Sequence, residues 1–475
     1  MIDGLQPYPA YRNPGVSWLE EVPEHWEVRQ LKRTFRRVVG GSTPSSTEPS
    51  YWDWDIVWIT PPDVSRTERL TTSLRRLTEE GLRACSTAMV PPGSIVVTTR
   101  APVGNVAVAE VDLCTNQGCK ALVPAHDVDS EFAFYVVRML KPELQSLATG
   151  TTFTEISTST LGAVQFQLPS LQEQAAIARF LDHADRRIRR YVAAKKALIA
   201  LLNEQKQAII HRTVTGGLDR HVRLKPSGVE WLGAVPEHWK VVRLGSVLRE
   251  RGEKNDSGAV TSVLSLLRSR GVIPYEEKGH IGNKKSEDTS RYKIVRPNDI
   301  VVNCMNVIIG SVGLSPYTGC LSPVYYVLVR RSERDDPEYL NAVFQCRSFH
   351  QSLVKIGNGI LAHRMRIPME LLKCELLPLP PSEEQARIVL ALREMTRDCD
   401  DAINHAEREV DLVREYRTHL IADVVTGKLD VRDAAARLPD EVDEPVPLDD
   451  ADALAESDES EGEADLDTAA GEAEP

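Results

Sequence analysis

Residues 15–31 read GVSWLEEVPEHWEVRQL and residues 228–244 read GVEWLGAVPEHWKVVRL, identical at 11 of 17 positions across an offset of 213. A repeat of this kind settles the domain organisation before any element is assigned, because each copy is one structural unit. Two further pairs extend it. LPSLQEQAAIARFLD from Leu168 matches LPPSEEQARIVLALR from Leu379, and VTGGLD from Val214 matches VTGKLD from Val425, both at an offset of 211. Each half of the chain thus carries an opening signature, a divergent stretch of about 135 residues, a second signature and a closing VTGxLD.

The segments from Gln174 to Val214 and from Gln385 to Val425 contain no Gly or Pro and are rich in helix formers, so both are predicted as long helices. In the first, Ile177, Leu181, Ala184, Ile188, Tyr191, Leu198, Leu202 and Ile209 fall on spacings that alternate between three and four, with Lys195 and Gln205 the two polar exceptions, the mark of a coiled-coil seam. In the second the same seam is Ile388, Leu392, Met395, Cys399, Ala402, Ala406, Val413, Tyr416 and Leu420, with only Glu409 breaking the pattern. Forty residues of helix make a rod of roughly 60 Å. Only eight residues separate VTGGLD from the second GVEWL, so the second globular domain is expected at the far end of the first rod. The second rod is then expected to run back antiparallel.

The expected boundaries are a first globular domain over 1–169, a long helix over 170–213, a linker over 214–226, a second globular domain over 227–381, a distal helix over 382–424 and an acidic tail over 431–475. In the first domain Ile56–Thr60 and Ile95–Thr99 read as short strands, and Pro92-Gly93-Ser94-Ile95-Val96-Val97 parallels Pro297-Asn298-Asp299-Ile300-Val301-Val302 as a turn entering a buried strand. The fold class is α+β: two similar globular α/β domains separated by two long helices in an antiparallel coiled coil, pseudo-two-fold symmetric, with a disordered acidic C-terminal tail. Outside the shared frame the domains diverge, so one scaffold carries two different surfaces.

The formal charge of −12 misleads as a guide to partners. From Asp440 to Pro475 there are 16 acidic residues and no Lys or Arg, and the first 439 residues carry 57 basic against 53 acidic groups. Such a tail has too little apolar surface to offset its ordering entropy. The eight cysteines are too sparse and irregular for a disulfide framework, and no CxxC pair suggests zinc. With no charged-then-apolar leader and no run of about 18 apolar residues, a soluble cytoplasmic protein is expected, with no membrane partner.

Motifs for chemistry are absent: no GxxxxGK[ST], GxGxxG after a strand, HExxH or GxSxG occurs, and Thr60-Pro61-Pro62-Asp63 is only superficially like an amino-methylation motif. The repeated His25 and His238 of PEHW are read as packing and capping residues, and Trp18, Trp26, Trp231 and Trp239 as aromatic anchors of each domain. No catalytic residue and no metal ligand is assigned.

The order and duplication of these motifs, with the Gly40-Gly41-Ser42-Thr43-Pro44-Ser45 loop leading to Tyr51-Trp52 and Val57-Trp58-Ile59-Thr60, closely resemble the specificity subunit of type I restriction-modification systems over about residues 11–430. The second domain departs from it, with Arg251-Gly252-Glu253-Lys254-Asn255-Asp256 near the place of the GGSTPS loop. The resemblance implies a subunit without catalysis of its own, whose two target-recognition domains each read one half of a split, asymmetric site on double-stranded DNA. It implies that the coiled coil sets the spacer and docks two methyltransferase subunits, with or without two motor-nuclease subunits. S-adenosylmethionine, ATP and magnesium would then belong to those partners. Two unlike surfaces held at a fixed separation are also what reading two half-sites demands.

The candidate DNA contacts are Ser42, Thr43, Arg100, Thr151 and Thr152 in the first domain and Lys284, Lys285, His363, Arg364 and Arg366 in the second, polar or cationic groups in loop-like places. The face with Arg186, Arg187, Arg189 and Arg190 is a candidate for spacer phosphates or partners, and coiled-coil flanking charge accounts for it equally well. Two other readings stand beside the main one: a specificity subunit serving an orphan modification methyltransferase, and a duplicated scaffold that binds only proteins.

Overall fold

The structure, a computed structural model, describes residues 5–16, 18–149, 154–268, 270–279, 285–286, 288–358 and 365–439. Among these, one unit takes the residues up to Lys195 and those from Arg408 onward, and a second takes Lys196–Glu407. The acidic stretch from Asp440 lies outside the described residues.

In the first unit the strands are β1 (Glu27–Gln30), β2 (Phe35–Gly40), β3 (Trp52–Ile59), β4 (Arg69–Leu70), β5 (Arg75–Leu77), β6 (Ile95–Thr98), β7 (Val106–Ala109), β8 (Leu113–Thr115), β9 (Cys119–Pro124) and β10 (Gln165–Leu168). Five of them form a sheet in the order β2-β9-β6-β7-β4, with only the β7–β4 pair parallel. Three more form β8-β3-β5, and β10 pairs with β1. Strand β6 is central and buried on both faces: Ile95 and Val97 enter the core that includes Phe132 and Phe166, whereas Val96 enters a second core with Val57 and Ile59. Alternation of period two across two cores explains why IVVT is apolar without interruption.

The second unit repeats this centre. Strands β11 (Lys240–Arg243), β12 (Leu248–Glu250), β13 (Leu264–Leu267), β14 (Gly271–Pro274), β15 (Lys293–Val295), β16 (Ile300–Asn303), β17 (Val312–Leu314), β18 (Gly319–Leu321), β19 (Tyr325–Arg330) and β20 (Leu376–Leu379) include an antiparallel sheet β12-β19-β16-β17 that matches β2-β9-β6-β7. The turn before β6 places Gly93 at φ +82°, and the turn before β16 places Asn298 at φ +70°. Left-handed backbone is accessible to Gly and tolerated by Asn, which is why the parallel PGSIVV and PNDIVV sequences differ there harmlessly. Outside the centre the units differ: the first adds β4 and the β8-β3-β5 sheet, the second the β13–β14 hairpin and the β15–β18 pair.

The long helices are Leu171–Gly216 and Ser382–Val425. The first unit holds residues 171–195 of one and 408–425 of the other, and the second unit holds the remaining halves. Within the first unit Asp185 pairs with Arg417 and Lys195 with Glu409 (2.5 Å), so numbers rise on one helix as they fall on the other. Within the second, Lys206 bonds Asp400 at 2.6 Å, and Ile210 and Val214 share a core with Ile388 and Leu392. The helix pair is therefore antiparallel in each unit.

The seam departs from the expected register in the middle of the first helix. Ile177 and Leu181 are buried, and Ile188 and Leu202 half-buried, but Leu198 is 42% exposed and Tyr191 40% exposed. Their inward places go to Ile199 and Val192. Both registers alternate spacings of three and four, and the inward one carries Lys195 and Lys206, whose stems pack while their ammonium groups meet carboxylates. In the second helix Ile388, Leu392 and Leu420 are buried and Val413 half-buried, while Tyr416 is exposed and Arg417 turns inward.

The repeated signatures meet in one place in each unit. In the first, Glu173 of the LPxxxEQ-type entry accepts hydrogen bonds from Tyr8 Oη (2.7 Å) and Trp26 Nε1 (3.1 Å) and faces His25 Nε2 at 3.1 Å. Gln174 donates to the carbonyls of Pro169 and Asp127 and accepts from the Asp129 N–H, pinning the start of helix Ser130–Met139. Gly427 of VTGKLD packs so tightly on Pro23 that a Cβ there would sit 2.4 Å from its ring. The second unit repeats this: His238 faces Glu384 at 2.7 Å, Gln385 bonds Pro380 O and the Asp336 N–H, and Gly217 of VTGGLD lies against Trp239.

The tail begins later than expected. Helix Arg432–Ala436 follows VTGKLD, with Val431 and Ala435 buried in the first unit's core. Two stability outcomes follow from these contacts. Glu173→Ala strands two buried donors and should cost about 3 kcal/mol in urea unfolding, whereas Glu384→Ala, which frees only a half-exposed His238, should cost about 1 kcal/mol. A chain ending at Pro439 should unfold like the full chain. One ending at Asp430 loses Val431 and Ala435 and should be about 2 kcal/mol less stable.

Candidate nucleic-acid interface

The first unit gathers several loops at one rim. Gly41 lets the 40–45 loop lie against the chain at Thr115, where a Cβ would come within 2.0 Å of the carbonyl oxygen. Ser42 N–H donates to that carbonyl at 3.1 Å. Two indoles then hold the loop from beneath: Trp58 Nε1 donates to Ser42 O (3.1 Å) and Trp52 Nε1 to Ser45 O (3.0 Å). With its carbonyls turned inward, the loop keeps side-chain hydroxyls at the surface, and Thr43 Oγ1 donates to Gln117 Oε1.

Arg100 belongs to the same rim. Its N–H and that of Thr99 both donate to Gly118 O, one residue past Gln117, and its guanidinium meets Glu155 at 3.0 Å with both groups about 40% exposed. Thr149 and Glu155 exchange backbone hydrogen bonds of 3.0 Å. Thr151 and Thr152, between them in sequence, lie outside the described residues. Ser42, Thr43, Arg100, Thr149 and Glu155 are thus joined by one chain of bonds.

At the corresponding place in the second unit Asn358 and Arg366 exchange backbone bonds of 2.9 Å. Ile367 N–H donates to Cys304 O there, as Ile156 N–H does to Thr99 O in the first unit. His363, Arg364 and Lys284 lie outside the described residues. Arg366 is exposed and close to Cys304 and Tyr326, where its charge opposes the rise that burial imposes on both groups. Lys285 is placed otherwise, against the Tyr275 ring and 3.7 Å from Glu276. Of the arginines on the long helix, Arg189 is committed to Asp185 and Glu68, while Arg187 and Arg190 are exposed.

Sequence reasoning missed Arg75. This exposed residue on β5 is paired opposite Trp58, and its guanidinium lies 3.5 Å from the centre of a Trp52 ring. It also missed Trp54, 65% exposed where residues 53–55 leave the β3–β5 pairing. A strand reading Arg-Arg-Leu gives no hint of which tryptophan lies beneath it.

A family model described as type I restriction modification DNA specificity domain matches residues 23–199. The Type I restriction enzyme MjaIX specificity subunit of Methanocaldococcus jannaschii is 31% identical over 274 residues, 55% of this chain and 59% of that relative's length. The putative type I restriction enzyme MjaX specificity subunit of the same organism is 23% identical over 435 residues, 87% of this chain and 95% of the relative. By these matches the chain is similar to type I restriction-modification specificity subunits. A solved structure concerned with complex assembly and conformational transition of the type I R-M system shares the fold, with a TM-score of 0.59 at 17% identity, covering 86% of this chain and 99% of that one. Among the described residues no cluster of His, Cys, Asp and Glu suits a metal ion, and no helix is long and apolar enough to cross a membrane.

One support of the second unit is titratable. His350 of helix Arg347–Leu353 is buried, bonds Phe344 O and abuts Gly310, the end of the turn that follows β16. Burial pushes its imidazole from 6.5 down to about 4, against the Phe344 carbonyl and with Arg268 adding to the fall. The folded domain therefore holds it neutral. The unfolded chain binds the proton first as pH falls, so stability is full above about 6.5 and is lost progressively toward pH 4. Between pH 7 and 4.5 the parent should lose on the order of 2–3 kcal/mol more than His350→Gln, measured by urea unfolding at each pH.

Proposed function

We propose that this chain is the DNA sequence-specificity subunit of a type I restriction-modification enzyme, each globular domain reading one half of a bipartite, asymmetric site. The observation that carries this reading is the duplication itself. Two domains share a central sheet and a docking arrangement, yet carry different outer strands and different rim loops. Two copies of one frame with unlike rims suit two unlike half-sites, since base contacts specify while the frame only positions.

In this reading the chain is non-catalytic alone. Its helix pair sets the spacer and docks two methyltransferase subunits, which hold S-adenosylmethionine and methylate adenine. Two motor-nuclease subunits, where present, bring ATP and magnesium. The protein works in the cytoplasm. The modest positive balance of the first 439 residues is consistent with partners that supply much of the phosphate-neutralising surface.

The test is co-expression of the full chain with its methyltransferase subunits and genome-wide mapping of methylated adenine. A bipartite motif is the expected result, and methylation without sequence dependence would sink the reading. Replacing residues 32–167 by the first domain of another family member should change one half of the motif and leave the other half and the spacer as they were.

A further inference from the structure

We propose that Arg75 reads a guanine in the half-site recognised by the first domain, with Trp52 as the platform that aims it. The inference rests on the DNA-reading function proposed above. It goes further by naming one residue, one base and the geometry that links them.

Three observations converge on Arg75. Its guanidinium lies 3.5 Å from the ring centre beneath it, a close cation–π stack on a tryptophan whose own position is fixed. Trp52 is buried, edge-on to Trp58 at 5.2 Å, and its indole N–H is used by Ser45 O. The second observation is that, among the described residues, the Arg75 side chain has no carboxylate and no hydrogen-bond acceptor. Nearby arginines are engaged: Arg69 with Glu131, Arg100 with Glu155, and Arg76 with Thr72. A guanidinium that is stacked and exposed yet unpaired keeps its fork of N–H donors for something outside the chain. The third is location. Arg75 stands on the rim with the 42–45 loop, because the indoles of the two tryptophans it touches or pairs opposite hold that loop.

The choice of a base edge over a phosphate follows from the same geometry. A phosphate contact needs only positive charge within reach, and Lys32, Arg33 and Arg36 offer it on the exposed side of the first domain without any ion pair among the described residues. A stacked guanidinium has already lost rotamer freedom and presents its donors in one fixed direction. That suits the two acceptors of guanine, O6 and N7, in the major groove, where bidentate arginine contacts discriminate best. The GGSTPS loop beside it presents hydroxyl groups that donate or accept, so Arg75 is the group on this rim that imposes a strict choice.

The experiment uses the full chain with its methyltransferase subunits, and maps adenine methylation for the parent, Arg75→Ala and Arg75→Lys. The domain exchange over 32–167 identifies which half-site is the first domain's. Both variants should accept other base pairs at one G·C position of that half-site, with discrimination there falling by roughly ten- to a hundredfold and the second half-site unchanged. Lysine keeps the charge but not the fork, so it should not restore selectivity. An unaltered motif in both variants overturns the proposal. If a variant methylates nothing, binding of the purified complex to duplexes substituted at each pair of the half-site decides. Lost discrimination at one G·C pair supports the proposal, and full discrimination at every pair overturns it. A parent enzyme that yields no bipartite motif would instead reject the underlying reading.

Discussion

A carboxylate at the first turn of each long helix, buried in the first unit and half-buried in the second, is the constraint on which the rest depends. Glu173 is 4% exposed and satisfies Tyr8, Trp26 and His25 at once, and Glu384 meets His238 in the other unit. A carboxylate in that position is costly unless its oxygens are fully bonded, so the opening PEHW signature must come to the helix start. The helix N-terminus itself favours the negative charge. The neighbouring glutamine fixes a second helix, and the glycine after the other long helix packs on the same PEHW segment. Three signatures far apart in sequence are therefore one contact. Because that contact joins the beginning of one long helix to the end of the other, it also sets the antiparallel sense within each unit.

This arrangement separates what must be constant from what is free to vary. The docking contact, the central sheet and the turn residues Gly93 and Asn298 hold the frame. The rim loops lie at the far ends of those strands and are supported by groups specific to each domain: two indoles beneath the 42–45 loop in one, a neutral histidine beside Gly310 in the other. A rim can therefore change without disturbing the frame, which is the physical basis for two unlike surfaces on one duplicated scaffold.

The duplication and the two helices were legible because each rests on identity or on periodicity, whereas His25 and His238, read as packing and capping residues, are about half exposed and each faces the glutamate at a helix start. The seam was legible to within one residue. Leu198 and Ile199 are both apolar, and Lys195 belongs to either register; the choice goes with Lys206, which turns inward to Asp400 where the expected seam has Gln205. A pattern of apolar residues cannot register partners on a second strand of sequence. The tail was read as starting at 431 because the last VTGxLD ends at Asp430, yet Val431 and Ala435 each fill a place in the core. Arg75 was illegible for a different reason: its value lies in Trp52 beneath it, a neighbour brought close by strand pairing rather than by spacing.

The two ends of the helix pair are not electrostatically alike, although the sequence repeats. Arg189 and Arg417 stand at positions equivalent to Asp400 and Lys206, so two arginines occupy the place that an acid and a base fill in the other unit. The first unit accommodates them with Asp185 and Glu68, and Arg138 of the globular domain joins the same group. Burial alone would raise the Asp185 carboxyl, and Arg417, Arg189 and Arg138 together hold it below its ordinary value. Such a network adds little net stability over apolar packing, because desolvation consumes most of the attraction. What it adds is direction. A slip of one turn between the helices would leave Asp185 without Arg417, and a rotation of the globular domain would leave Glu68 without Arg189 and Arg417. Apolar seams tolerate both errors more readily than buried charges do, so in the first unit the charges fix the register of the helices and the seating of the domain on them together.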